Sequence, residues 1–298
     1  MAIRKLPSTG DAPRSTGVPA SLVPGGPADS AGFPWQGRTF DHHGTAFADD
    51  DGATPARLAA AVAEVRAAAR GFVTAAAGEQ AAALARLGAA HADAVLALSE
   101  SRLLVPLLAE AGDTGLTPDG RVVEKSQELS IVTVAGPDGR RVMPVFSSTE
   151  AMRSWNAEAR PIPVPGPQLA LAAAQEETDL IIVDPGSSDR EIGVRRPALR
   201  AMALGEAVPP AWDDAAVREA FIGASAGPGV EALALLPGDP EARLLQAETE
   251  VRLLVAPGLD DAGLRELLES LQRRWAANAV IAERVDSMRV RPVAGPRG

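Results

Sequence analysis

A possible nucleophile occurs at residues 223–227, which read Gly-Ala-Ser-Ala-Gly and match the G-x-S-x-G pattern of the nucleophile elbow. That elbow needs a strand before it, a helix after it and a histidine later in the chain. Here a helical pattern precedes the match, Pro228-Gly229 follows it, and the last histidine is His91. The sequence therefore predicts a helix stop around Ser225 rather than acyl-transfer chemistry.

Two further patterns resemble cofactor or metal sites. Residues 227–232 mimic the glycine-rich dinucleotide fingerprint, but a strand follows them where the fingerprint needs the N-terminus of a helix. Residues 41–43 (Asp-His-His) and 49–51 (Asp-Asp-Asp) offer ligands for a divalent metal, yet a polar segment ending in a turn explains them better. We therefore expect no cofactor and no metal.

Lys125, Asp184 and Ser187 are the residues most suited to bind a small ligand. Lys125 is one of two lysines and sits in a predicted loop between strands, where functional residues are often placed. Asp184 and Ser187 follow the carboxyl end of a predicted strand, where α/β sheets often bind ligands. The alternatives are an exposed, ion-paired Lys125 and a type II turn with Pro185 and Gly186 at its centre.

His91 falls on the apolar face of a predicted helix, together with Leu84, Leu87, Val95 and Leu98. A histidine in such a position usually lies at the edge of the core with one hydrogen bond. We expect that structural role for His91.

Composition narrows the classes of function. The chain has 298 residues, a formal net charge of −10 and no cysteine. The negative charge argues against nucleic acid and anionic membranes as partners, and the lack of cysteine excludes thiol chemistry. No apolar run approaches the roughly 18 residues that a spanning helix needs. The expected protein is soluble and cytoplasmic.

The order of elements predicts an α/β (α+β) fold in two domains. Residues 1–52 are rich in Gly, Pro, Ser and Asp and are predicted to form a flexible tail. Residues 53–207 form a predicted mixed-sheet domain, and residues 211–298 form a smaller domain with the order β-β-α-β.

The predicted folding nucleus runs from Arg140 to Glu150, where a strand turns directly into a helix. Ser147 is the predicted N-cap, with Glu150 completing a capping box. The segment 129–134 is the predicted hairpin partner of this strand. Pro106 interrupts an apolar strand at 103–108, so that strand is predicted to lie at an edge or to bulge.

Five segments resemble a known family in the right order. They read LLVPLL at 103–108, EKSQE at 124–128, PDGRRVMPVFSSTEAMRSW at 137–155, ARPIPVP at 159–165 and LIIVDPG at 180–186. They are similar to the actinobacterial members of the SseB family, whose name comes from an "enhanced serine sensitivity" protein. Residues 229–293 resemble the C-terminal domain of that family more loosely.

The resemblance implies an α/β N-terminal domain, a cytoplasmic location and no established activity or catalytic residues. Some related domains occur in proteins associated with type VII secretion, which implies an accessory role. Sulfur transfer, to which members have been linked, needs a persulfide-bearing cysteine, and this chain has none.

The sequence favours a non-enzymatic protein-interaction or adaptor protein, with a protein partner and homo-oligomer formation left open. One rival is a small-ligand sensor that uses the Lys125 loop and the turn from Asp184 to Ser188, and another is a hydrolase of unrecognised type. The adaptor hypothesis rests on the premise that the polar side chains are caps, turns and solvated faces. Several ionisable side chains converging in a deep cleft would contradict that premise.

Overall fold

The structure is a computed structural model that describes residues 47, 49–110, 114–116, 122–124, 128–131, 133–136, 139–176 and 178–294. The chain divides into two units, Met1–Asp50 and Asp51–Gly298. In the first unit, the Asp50 amide donates to the Phe47 carbonyl oxygen over 3.1 Å. The predicted tail lies almost entirely outside the described residues. The second unit is compact and contains every helix and strand described below.

The described residues form eight helices. In chain order they are α1 (Ala56–Thr74), α2 (Gln80–Ser99), α3 (Thr149–Trp155), α4 (Gly166–Gln175), α5 (Arg196–Leu204), α6 (Ala215–Ser225), α7 (Asp261–Ala276) and α8 (Ala279–Arg284).

The described residues also form twelve strands. They are β1 (Arg102–Glu110), β2 (Thr114–Leu116), β3 (Val122–Glu124), β4 (Glu128–Ile131), β5 (Val134–Ala135), β6 (Arg141–Val145), β7 (Arg160–Pro165), β8 (Leu180–Val183), β9 (Ile192–Arg195), β10 (Val230–Pro237), β11 (Thr249–Val255) and β12 (Met288–Ala294).

These strands make four sheets, with the orders β4-β1-β7, β2-β3, β5-β6-β8-β9 and β10-β11-β12. The pair β6-β8 is parallel, while β5-β6 and β8-β9 are antiparallel. In the last sheet β10-β11 is antiparallel and β11-β12 is parallel, with α7 and α8 between β11 and β12. The chain is therefore a mixed α/β protein, as the sequence predicts, and its last segment follows the predicted β-β-α-β order with one extra short helix.

One hydrophobic core runs through residues 51–298. It joins Leu58 and Val65 of α1 to Ile181 of β8, Trp212 and Trp275, all of which are at most 1% exposed. A smaller cluster gathers around Phe146 and Met152. The segments on both sides of residues 207–211 contribute to the same core. The predicted division into two domains there stays a prediction.

Proline spacing determines how β7 pairs. The residue pairs Leu104–Pro163 and Pro106–Pro161 face each other across β1 and β7. Leu104 exchanges both backbone hydrogen bonds with Phe146 instead, so these positions are not hydrogen-bonded to β7. All three prolines of β7 thus lie where the missing N–H would face away from β1.

The prediction that the Pro106 strand lies at an edge or bulges is wrong. β1 is the central strand of its sheet, and its register with β7 continues through Pro106 without a shift. The missing donor is tolerated because pairing with β4 begins only at Leu107, so no ladder bond is lost on that side.

The predicted hairpin partner of β6 is also only partly correct. Val134 and Ala135 pair with Val142 and Arg141, but Glu128–Ile131 pairs with β1. The segment 129–134 is therefore divided between two sheets.

The predicted N-cap of α3 is displaced by one residue. Ser148, not Ser147, caps the helix, because its side chain accepts the Ala151 N–H over 3.1 Å. Ser147 is instead buried, and its hydroxyl donates to the carboxylate of Asp184. Two adjacent serines made the sequence pattern ambiguous by one position.

Among the described helices, α2 is the one that is long and apolar enough to cross a membrane, with a mean hydropathy of 1.3. The expectation that no segment reaches this length and composition is therefore wrong. A core helix of a soluble protein passes the same test. Here Ala90, Ala94, Ala97 and Leu98 of α2 belong to the hydrophobic core, in which α1 and α5 also take part.

Candidate functional site

A cleft of about 890 Å³ lies among the described residues. Its first wall comes from α2, the strand β9 and α5. Its second wall comes from residues 206–214, from part of the segment 239–248, and from residues 282–286. We call this space the cleft.

Two arginines and two aspartates form the floor of the cleft. Asp286 accepts from Arg140 at 2.9 and 3.0 Å and from Arg195 at 2.9 Å, and Arg195 also donates to Asp239 at 2.7 Å. The side chains of Arg195, Asp239 and Asp286 are less than 10% exposed. Buried charges are stable only when paired in this way, so these four residues fix one another in place.

Asp239 also organises the loop that connects β10 to β11. Its carboxylate accepts the N–H groups of Arg243 and Leu244 at 3.2 and 2.8 Å. Ala242 and Leu244 have positive φ angles of 52° and 59°, a conformation that costs of order 1–3 kcal/mol for residues with a Cβ. The bonds from Asp239 hold the loop in this conformation.

The same loop is fastened to β9 and α1. The Gly193 N–H donates to the Ala242 carbonyl oxygen over 2.6 Å, and a Cβ on Gly193 would lie 2.2 Å from Leu244. The buried Arg66 of α1 donates to the carbonyl oxygens of Glu191 and Glu241. Glycine at 193 is therefore required for the close approach of this loop to the sheet edge.

Glu248 lines the cleft beside this floor. Its carboxylate accepts the N–H groups of Asp286 at 2.9 Å and Ala211 at 3.4 Å, so it links two of the segments of the second wall. Burial raises the pKa of Glu248 from 4.5 to about 7, against the opposing effect of its hydrogen bonds and of Arg195. This carboxyl group therefore changes its charge near neutral pH.

His91 of α2 lies in the first wall of the cleft. Its Nε2 is 2.8 Å from the Pro240 carbonyl oxygen, and its ring packs edge-on against Trp212 with centroids 5.5 Å apart. Burial lowers the pKa of His91, so the neutral ring donates from Nε2 to that carbonyl. The predicted single hydrogen bond at the core edge is confirmed, and its proximity to a cleft was not predicted.

The cleft has features that small-molecule sites share. Small-molecule sites are usually clefts of about 300–1,000 Å³ with a few converging polar groups, and carboxyl groups with perturbed pKa values often mark them. The premise that the polar side chains are only caps, turns and solvated faces is therefore wrong at the cleft.

Of the ligand-binding residues predicted from the sequence, Asp184 and Ser187 do not line the cleft. Lys125 lies outside the described residues. Asp184 is 2% exposed and accepts from Ser147, both from its N–H at 2.8 Å and from its hydroxyl. Burial raises the pKa of Asp184, opposed by the two bonds from Ser147.

Ser187 serves the turn that it closes. Its N–H donates to the Asp184 carbonyl oxygen at 3.1 Å, and Gly186 has a φ of 85°, which matches the predicted type II turn. Its hydroxyl donates to Asp189 at 2.8 Å and accepts the Arg190 N–H at 3.2 Å. Both hydroxyl contacts of Ser187 are thus made with residues that directly follow the turn.

The remaining sequence candidates have structural positions. Ser225 ends α6 as predicted, is 2% exposed, and accepts the indole N–H of Trp275 at 2.9 Å. The metal candidate at 41–43 lies outside the described residues. Within the ranges that the structure describes, no group of three or more His, Asp or Glu residues could hold a metal ion.

Sequence reasoning missed the residues of the cleft floor because they are far apart in the chain. Arg140, Arg195, Asp239 and Asp286 are brought together over separations of up to 146 residues. The available signals were weak: Arg195 ends a strand, and Asp239 lies in a Gly-Asp-Pro turn. Neither signal indicates the partner.

The comparison with protein families identifies the part of the chain that builds the first wall. Residues 79–201 match the model for the SseB protein N-terminal domain. The chain therefore contains a domain of the SseB N-terminal type over these residues. The SseB domain supplies α2, β9 and most of α5 to the cleft, while the second wall comes from residues beyond the match. Searches of curated proteins and of solved structures found no match to the chain.

Proposed function

We propose that this protein binds a small molecule in the cleft and acts as a ligand sensor without chemical turnover. The observation that carries the proposal is the convergence of a buried charged floor and the titratable Glu248 on a space of about 890 Å³. The site does not include the turn at Asp184 that the sequence suggested.

Binding without turnover is supported by the use that the described residues make of their polar groups. Ser225, the one serine in a nucleophile-like pattern, is buried against Trp275. The Nε2–H of His91 donates to the Pro240 carbonyl oxygen. Neither contact pairs a nucleophile with a base, which covalent catalysis would need.

The test is capture of the tagged full chain from an extract of its own cells, with small-molecule mass spectrometry of the eluate. Val208 lines the cleft and is 40% exposed, so Val208→Trp narrows the cleft without disturbing the core. Val73 on α1 is 72% exposed and does not line the cleft, so Val73→Trp is the matched control.

We expect a metabolite to be recovered in near-stoichiometric amount with the wild-type protein and with Val73→Trp, and to be lost with Val208→Trp. Recovery of no small molecule, or equal recovery with both variants, would contradict the proposal.

An adaptor function is a second candidate, favoured by the open edge of β10. This strand has eight residues and lies at the edge of its sheet. Among the described residues, β11 is the one strand that pairs with it, so its other edge is open. Ala232 and Ala234 are exposed there. Such an edge can pair with a strand of another protein.

The same capture experiment tests this candidate. Lysines on an edge strand oppose pairing, so the double variant Ala232→Lys/Ala234→Lys should release a protein partner. Ala59→Lys/Ala63→Lys on the exposed face of α1 adds the same charge and should retain it. A partner that is retained by both variants would rule out pairing at β10.

A further inference from the structure

We infer that the ligand of the cleft is a small organic anion, with a carboxylate or phosphate group on an apolar body, and that Arg196 and Arg200 bind the anionic group. The inference rests on the proposed function. Its basis is two arginine side chains of the cleft that have no hydrogen-bonded carboxylate, together with the apolar surface beside them.

Most arginines that line the cleft are already neutralised by the protein. Arg140 and Arg195 are held by the floor aspartates. Arg284 donates to Asp214 at 3.0 Å. None of these three guanidinium groups brings an uncompensated charge to a ligand.

Arg196 and Arg200 differ from the other three arginines. They are four residues apart on α5, so they lie one turn apart on the same face of the helix, and both line the cleft and are exposed. Arg196 forms a long ion pair of 3.8 Å with Asp179, beyond hydrogen-bonding distance, and Arg200 makes no ion pair with any described residue.

Two like charges at this spacing repel each other and slightly destabilise a helix. An anion bound between the two guanidinium groups removes that repulsion and receives charge-assisted hydrogen bonds from both. The pair is therefore a binding element for a carboxylate or a phosphate group.

Glu206 and Glu283 determine where in the cleft an anion is tolerated. Both line the cleft, and neither makes an ion pair with a described residue. Glu206 follows the C-terminal end of α5, and Glu283 belongs to α8. Their repulsion confines an anionic group to the first turns of α5, next to Arg196 and Arg200.

The rest of the ligand meets apolar surface. The wall from α2 contributes Val95 and Leu98, and the segment after α5 contributes Val208 and Pro209. A volume of about 890 Å³ is much larger than an isolated carboxylate or phosphate group needs. The complementary ligand is therefore an anion that carries an apolar body, rather than an inorganic ion.

The experiment is isothermal titration of the full chain with four probes that share one apolar body. The probes are 3-phenylpropanoate, 3-phenylpropylphosphonate, 3-phenylpropylamine and 3-phenylpropan-1-ol. The test variant is Arg196→Gln/Arg200→Gln. The control is Arg265→Gln/Arg273→Gln, which removes two exposed arginines from α7, away from the cleft.

We expect at least one of the two anions to bind more tightly than the alcohol, and the amine to bind most weakly. The test variant should weaken anion binding about tenfold or more, as the loss of charge-assisted hydrogen bonds predicts, and the control should bind as the wild type does. A difference between carboxylate and phosphonate identifies the preferred anionic group.

Other outcomes overturn the inference. Binding of the amine or the alcohol as tightly as of the anions, with loss in Val208→Trp, overturns the anionic ligand and leaves the proposed function intact. Anion binding unchanged in Arg196→Gln/Arg200→Gln, or no binding of any probe, also overturns it. In those cases the loss of a captured metabolite in Val208→Trp still supports the proposed function independently.

Discussion

Two buried polar clusters of this protein invite comparison, the cleft floor and the Asp184 cluster. The Asp184 cluster consists of Thr54, Arg102, Ser147 and Asp184: Arg102 donates to the Ser147 carbonyl oxygen at 2.8 Å, and the hydroxyls of Thr54 and Ser147 are 2.8 Å apart. Both clusters lie at the ends of strands, and both bury an aspartate.

The clusters differ in what surrounds the aspartates. In the Asp184 cluster the carboxylate is bound by the N–H and the hydroxyl of Ser147, without an ion pair to any described residue, and none of the four residues lines the cleft. The cleft floor uses full charges from distant segments, and its residues border a space of about 890 Å³. A buried carboxylate after a strand is thus insufficient evidence for a ligand site; the adjoining space and the uncompensated charges distinguish the two.

The largest effect is expected from Arg195→Leu. This change leaves Asp239 without its cationic partner in a buried position, and breaking such a pair typically costs about 3–5 kcal/mol. Urea denaturation at pH 7 followed by tryptophan fluorescence measures the loss. Arg265→Leu, on the exposed face of α7, is the control and should change the free energy of unfolding by less than about 0.5 kcal/mol. An equal effect of the two variants would show that the cleft floor contributes no special stability.

The next effect is a pH dependence at Glu248. Its folded pKa of about 7 lies above its ordinary 4.5, so the folded protein binds more protons than the unfolded chain between these values. The contribution of Glu248 to the free energy of unfolding therefore falls as pH rises from about 4.5 to about 7, by at most about 3 kcal/mol.

Glu248→Gln should flatten this part of the pH profile, whatever its effect on absolute stability. Urea denaturation of both proteins at half-unit steps from pH 5 to 8 measures the two slopes. Glu266→Gln on α7 is the control, since Glu266 is exposed. Parallel profiles for wild type and Glu248→Gln would refute the assignment of this titration to Glu248.

Ser147→Ala tests the Asp184 cluster and should cost about 1–3 kcal/mol, because it leaves one oxygen of the buried Asp184 without its hydroxyl donor. The matched control is Ser188→Ala, since Ser188 is exposed next to the same turn, with an expected change below about 0.5 kcal/mol. Probe binding in the cleft should be unchanged in Ser147→Ala. Loss of binding would show that the two clusters are coupled.

The smallest effect is expected from Thr54→Val, which removes the hydroxyl that contacts Ser147 while keeping the shape of the side chain. One hydrogen bond is worth about 1 kcal/mol. Thr74→Val, at the exposed end of α1, is the control. A cost for Thr54→Val above that of Ser147→Ala would contradict the placement of Asp184 at the centre of its cluster.

The fold was predictable wherever local rules decide. The type II turn at Pro185-Gly186 depends on neighbours within a few residues, and its prediction is confirmed. The helix caps at Asp214 and Asp260 follow equally local rules. The cap of α3 was displaced by one residue because Ser147 and Ser148 both suit the position, and only the distant Asp184 separates their roles.

The candidate site was not predictable in the same way. Arg195 meets Asp239 and Asp286 only because β9, the loop after β10 and the segment before β12 are folded together. A single sequence contains no pattern that links residues so far apart in the chain. The residues that sequence patterns did indicate, Asp184 and Ser187, were detected because they form a turn. Their side chains contact Ser147 and Asp189 and do not border the cleft.

The prolines of β7 limit how this molecule can associate. Pro161, Pro163 and Pro165 remove every backbone N–H from the outer edge of that strand. A neighbouring strand would therefore find carbonyl acceptors there but no N–H donors. Two copies of the protein therefore cannot pair with each other along this edge through backbone hydrogen bonds, even at high concentration. Any fibre-like growth or strand exchange must begin elsewhere on the molecule.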